Sequence, residues 1–151
     1  MTSSENLEPW LRGILPDVNP VIGHLLRSSQ QIREDIAPLT SVMFHVQHLA
    51  GSTDRLCTYL EGGQLTPAQL EDLAAENQPD DDAPKWIAAV NRALDRYEQI
   101  IRHLTPAQFG DIREVGRRRL PVTAIGLAIH IAEHGQRHAG QAITCQRLTR
   151  S

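Results

Sequence analysis

Between Asp82 and Leu104 the apolar residues Trp86, Val90, Leu94, Tyr97, Ile101 and Leu104 recur three or four positions apart. At 3.6 residues per turn that spacing puts them on one face of an α-helix. A half-buried strand would need strict alternation, and no segment of this chain sustains it. The chain must therefore bury helix faces against one another. Asn19-Pro20 reads as another helix start, with Asn capping free N–H groups and Pro tolerated in the first turn. Val21, Ile22, Leu25, Ile32 and Ile36 follow at helical spacing, and Pro38 closes the segment. A second helix is predicted from about Thr40 to Glu61, with Val42, Val46, Leu49, Leu56 and Leu60 as its stripe and Gly62-Gly63 as its stop. A last helix is predicted from near Pro121 to Leu148.

The connections are short. Leu65-Thr66-Pro67-Ala68-Gln69 recurs as Leu104-Thr105-Pro106-Ala107-Gln108, and both read as a capping-box helix start. The stretch Glu76 to Pro84, with Asp80-Asp81-Asp82, reads as a solvated loop, and so does the basic run Arg113 to Arg119. Four long helices so joined predict an all-α fold, a four-helix bundle over residues 19–151. Residues 1–18 are expected to form a short N-terminal arm that packs Trp10, Leu11, Ile14 and Leu15 on the body.

Composition narrows the partners. Hydrophobic residues make up 40% of 151, enough for a core that needs no disulfide. Fifteen Lys and Arg against 18 Asp and Glu give a net charge of −3, and aromatics are only 4%. Both argue against a nucleic-acid partner, which calls for a basic surface and stacking rings. No run of 18 apolar residues is present to span a membrane. Met1 to Pro9 lacks the basic start and apolar stretch of a signal peptide, so a cytoplasmic location with Cys57 and Cys145 reduced is expected.

Five of the seven histidines fall in two clusters. His130, His134 and His138 are spaced i, i+4, i+8, and drift only about 40° per step around a helix. Leu127, Ile131, Cys145 and Leu148 share their side, which favours an inward-facing row. A buried imidazole needs a partner, and one metal ion can serve two rings four residues apart. No HExxH pattern accompanies them. The second helix offers His45 and His48. His48 begins a polar stripe with Ser52, Arg55 and Tyr59, about 120° from the centre of the apolar one by ideal-helix arithmetic. His45 lies nearer the apolar stripe. Spacing alone leaves both open as ligands, and leaves open that these rings only hydrogen-bond at a seam. Arg55 could grip a carboxylate or pair with an acid across that seam, and Tyr59 reads as a core residue. No Ser-His-Asp or Cys-His pair is evident.

The phrases His45-Val46-Gln47-His48-Leu49-Ala50-Gly51-Ser52 and His130-Ile131-Ala132-Glu133-His134-Gly135-Gln136-Arg137-His138-Ala139-Gly140-Gln141 resemble the DinB-like superfamily. The resemblance runs from about Trp10 to Leu148. It implies a bacterial four-helix bundle with a metal centre. Carried over residue by residue, the ligands are His48, His134 and His138. His45 and His130 fall outside that triad as neighbours, and Ser52, Arg55, Tyr59 and Gln141 are candidates for polar groups around metal or substrate. The implied function is a divalent-metal-dependent enzyme, a thiol-dependent S-transferase or related hydrolase of a small molecule. Zn, Ni, Fe or Mn would suit the rings, and a low-molecular-weight thiol would be the co-substrate. The other reading is a non-catalytic metal-binding stress-response bundle. A homodimer is also implied. Ile125, Ala128, Ala132, Ala139 and Ile143 give the last helix a second apolar side, open to close approach by a helix of this chain or of a partner.

Overall fold

The structure is a computed structural model that describes residues 18–41 and 44–149. Among them five α-helices dominate: α1 (Pro20–Ile36), α2 (Phe44–Leu60), α3 (Pro67–Ala75), α4 (Ala83–His103) and α5 (Ala124–Thr149). A 3-10 turn at Pro106–Gln108 and two strands, β1 (Ile112–Val115) and β2 (Leu120–Thr123), fill the gap before α5. No helix among the described residues is long and apolar enough to cross a membrane. Of the expected arm only Val18 is described, and it packs beside the core; Trp10, Leu11, Ile14 and Leu15 lie outside the described residues.

The helix ends follow their residues. Asn19 Oδ1 accepts a hydrogen bond from the Val21 N–H at 2.9 Å, with Pro20 in the first turn. The α2 end is closed by Gly62 at φ +87°, where a side chain would be strained. There the Gly62 and Gly63 N–H groups bond back to the Tyr59 and Thr58 carbonyls. Thr66 and Gln69 form the expected reciprocal box at the start of α3, and Asp82 caps α4 through the Lys85 N–H.

Three readings of the connections need correction. First, Arg113 to Arg119 is not a loop leading to a helix at Pro121. Residues 112–123 form an antiparallel hairpin, with Glu114 opposite Pro121 and Val115 opposite Leu120. Gly116 at φ +77° and Arg119 at φ +49° turn the chain. Both strands are edges, so Pro121 costs no interior hydrogen bond, and α5 starts only at Ala124. Second, the repeat at Leu104 to Gln108 yields a single 3-10 turn, in which Gln108 Oε1 still accepts from the Thr105 N–H at 3.0 Å. Third, α2 starts at Phe44, after Thr40, while Val42 lies outside the described residues. The N–H groups of Thr40 and Ser41 bond instead to Gln146 Oε1 near the end of α5, at 2.8 and 3.2 Å.

α2 packs against α4 and α5, and α1 packs against the same two helices. Between them lie two apolar clusters. One gathers Leu26, Leu60, Tyr97, Leu127 and Ile131 at the hairpin end; the other gathers Ile32, Leu49, Val90 and Ala139 at the opposite end. Tyr97 is buried in the first, and its hydroxyl donates to the Ala128 carbonyl at 2.7 Å. The second apolar side of α5 is used within the chain. Ala128, Ala132 and Ala139 are all buried, so their small size serves packing here rather than arguing for a second copy.

Glycines in α5 divide by environment. A Cβ at Gly135 would sit 2.6 Å from Ile32 Cδ1, so α1 approaches because the position is bare. A Cβ at Gly140 would meet nothing within 4 Å. Overpacking typically costs about 1–3 kcal/mol, and Gly-to-Ala in a helix returns about 1 kcal/mol. Gly135→Ala is therefore expected to lose about 1 kcal/mol in urea unfolding and Gly140→Ala to gain about as much. Equal midpoints for the two variants would contradict this.

Candidate metal centre

α2 and α5 face each other at the second cluster, and their histidines meet there. Ligand atoms of His48, His134 and His138 all lie within 4.8 Å of one another. Ring centroids are 4.5 Å apart for His48 and His138, 4.4 Å for His134 and His138, and 5.3 Å for His48 and His134. All three rings are half-buried. The drift of the row explains the selection. His134 and His138 point into the seam, while His130, one turn earlier, is exposed with its ring 5.7 Å from that of His134.

Each of the three rings turns its Nδ1 toward a protein group. His48 Nδ1 lies 2.9 Å from Glu76 Oε2. A carboxylate only accepts, so Nδ1 carries the proton, and a neutral ring then leaves Nε2 as a bare lone pair. His138 Nδ1 lies 3.1 Å from His45 Nδ1. His134 Nδ1 faces Ser52 Oγ at 3.5 Å, the outer limit of a hydrogen bond. Phe44 stacks on the His48 ring at 5.2 Å with planes 16° apart.

The electrostatics keep His134 and His138 uncharged near neutrality. Burial, joined by repulsion from neighbouring histidines, pushes His134 and His138 down to about 4. Burial followed by repulsion from His48 lowers His45 as well. For Glu76, burial alone would raise the carboxyl, but contacts with His48 and Arg55 outweigh it and hold the group below the usual carboxylate range.

The other expected site residues divide. Arg55 is buried, and its Nη1 is 3.0 Å from Glu76 Oε1, an ion pair between α2 and the end of α3 whose N–H is not aimed along the contact. Ser52 is buried and also donates to the Leu49 carbonyl at 3.4 Å. Tyr59 lies in the hairpin-end core, away from the rings, and Gln141 is exposed and enters none of the bonds described around them. Cys57 is fully buried with its thiol pushed up to about 12 by burial, which makes it inert.

Glu76 is the residue that sequence reasoning missed, by placing it in a solvated loop. It is buried at the C-cap of α3. One signal was available. A carboxylate at a helix C-terminus opposes the helix dipole, so it needs cations such as Arg55 or donors such as His48.

Three imidazoles, each offering a nitrogen within 4.8 Å of the others, suit a first-row divalent ion, which keeps its charge on neutral ligands. Fold and cluster together define a helical protein with a candidate three-histidine metal centre. A family model described as the DinB superfamily matches residues 24–142, and the chain belongs to that superfamily. No curated protein and no solved structure matches it.

Proposed function

We propose that the protein is a divalent-metal-dependent enzyme, with the ion held by His48, His134 and His138 in the four-helix bundle expected of residues 19–151. The observation that carries this reading is the shared orientation of the rings, each with Nδ1 toward a protein group and Nε2 left over. Three neutral rings leave at least one position on the ion open. A bound ion would supply Lewis acidity toward a water or thiolate there. Of the chain's own groups, Glu76 and His45 hold two of the rings, and Phe44 covers the His48 face. The half-open rings give a small substrate access from solvent. A thiol-dependent S-transfer, or a related hydrolysis, fits such a centre, with a low-molecular-weight thiol as co-substrate. We place the reaction in a bacterial cytoplasm, in keeping with two free cysteines.

One observation favours a second reading, a metal-binding bundle without catalysis. Arg55, the residue best suited to grip a substrate carboxylate, is already paired with Glu76. A cavity of about 350 Å³ reaches Arg55 and Glu76 but none of the histidines. Metal analysis of tag-free protein, followed by a thiol-transfer screen with the main bacterial thiols, decides between them. Stoichiometric metal with thiol-dependent turnover supports the enzyme, and stoichiometric metal without turnover supports the second reading. Light scattering tests the homodimer, since a monomer has a mass of 16.8 kDa at every concentration.

A further inference from the structure

His48, Gly51 and Arg55 stand at i, i+3 and i+7 on α2 and so form one stripe. Glu76, brought from the end of α3, lies along that stripe. Its Oε2 takes His48 Nδ1 at 2.9 Å and its Oε1 sits 3.0 Å from Arg55 Nη1. Directly beneath is Gly51. A Cβ built there would lie 2.5 Å from Glu76 Oε1 and 2.7 Å from Arg55 Nη1, closer than real Cβ contacts come. Gly51 has helical neighbours on both sides, so the helix itself has no use for a bare residue at this position.

We infer that Glu76 is the positioning residue of His48, and that Gly51 is bare so that the Arg55–Glu76 pair can lie flat on α2 and hold the carboxylate at the ring. The inference rests on the metal-centre reading for its effect on metal. Its structural content, the His48 tautomer, stands apart from it. The carboxylate fixes the proton on Nδ1, leaves Nε2 as the free lone pair, and raises the ring's electron density. Arg55 answers the second carboxylate oxygen, so the acid does not turn away. The two atoms that a Cβ would strike are the far ends of flexible side chains. A substitution at 51 therefore moves the pair and leaves the helix standing.

That last point separates positioning from fold maintenance. Alanine favours a helix over glycine, so Gly51→Ala should melt no lower than wild type. Its zinc affinity should nonetheless fall about 10–100-fold, the usual loss when an outer partner of a ligating histidine is removed. Glu76→Ala should fall by a similar factor. Glu76→Gln keeps an acceptor for Nδ1–H and should lie between Glu76→Ala and wild type. The experiment is zinc competition against a chromophoric chelator for the full chain and these variants, with His134→Ala as reference, thermal melts for each, and long-range proton–nitrogen NMR of the His48 ring in metal-free protein. The expected NMR result is a single Nδ1–H tautomer in wild type and a mixture in Gly51→Ala and Glu76→Ala. Wild-type affinity and tautomer in both variants would overturn the inference. If wild type holds no zinc, the metal reading fails, and the metal-free tautomers still decide the role of Glu76 and Gly51. If Gly51→Ala proves unfolded, the claim that the helix does not need this glycine is overturned, and Glu76→Ala decides the rest.

Discussion

His134→Ala, His138→Ala and His48→Ala should each lower zinc affinity by more than 100-fold in chelator competition, beyond the roughly 10–100-fold that an outer partner costs. Each removes one of three donors that lie within 4.8 Å of one another. His45→Ala should show the smaller loss, because His45 reaches the centre only through His138 Nδ1, at 3.1 Å. His130 is exposed and neighbours the centre only through the His134 ring, 5.7 Å away, so His130→Ala should lose less still. His103 bonds to the Gln99 carbonyl at the end of α4, and His103→Ala should leave affinity unchanged. If His45→Ala proves worse than His48→Ala, the assignment of ligands on α2 is wrong by one turn. If no histidine variant matters, the rings only pack.

The second expected result concerns acid. In metal-free protein His134 and His138 are pushed from 6.5 to about 4 in the folded state, first by burial and then by neighbouring rings and Arg137. A folded-state value below the unfolded one means that unfolding takes up protons. The stabilising contribution of the neutral rings is complete above about pH 6.5. It is lost progressively as pH falls to about 4, where the folded rings also protonate. The rings are partly open to water, which screens the effect to the order of 1 kcal/mol per ring. Urea unfolding at pH 7, 5.5 and 4, with a chelator present, should show this slope, and the double variant His134→Ala/His138→Ala should flatten it. A wild-type slope in the double variant would place the acid sensitivity elsewhere.

The helices were legible because their apolar residues keep one period over many turns. Trp86 through Leu104 repeat it for six apolar positions, and Asn19, Thr66 and Asp82 mark starts by a chemistry that works locally. His134 and His138 were legible for the same reason, since a helix converts a spacing of four into a shared face. The hairpin was not. Its strands are four residues each, too short to display alternation, and its exposed Ile112 and Leu120 break the link between apolar character and burial. Glu76 was hidden by a different cause. It is 28 residues from His48, in another helix, and no periodicity joins them. The choice between His45 and His48 depended on how α2 is rotated against α5, which packing decides and spacing does not.

The site also has a place in the order of folding. His45 and His138 are separated by 93 residues, and the Gln146 contact to Thr40 that ties down the chain ahead of α2 spans 106. Closing loops of that length carries an entropic cost that only the docked α5 repays. A chain still emerging from the ribosome therefore carries half a centre. His48 has its carboxylate and its neighbour His45, but neither ring of α5. If the centre binds metal as proposed, loading would belong to the finished fold rather than to the growing chain. In stopped-flow refolding, zinc should leave the folding rate nearly unchanged and slow unfolding, as a contact made after the rate-limiting step does.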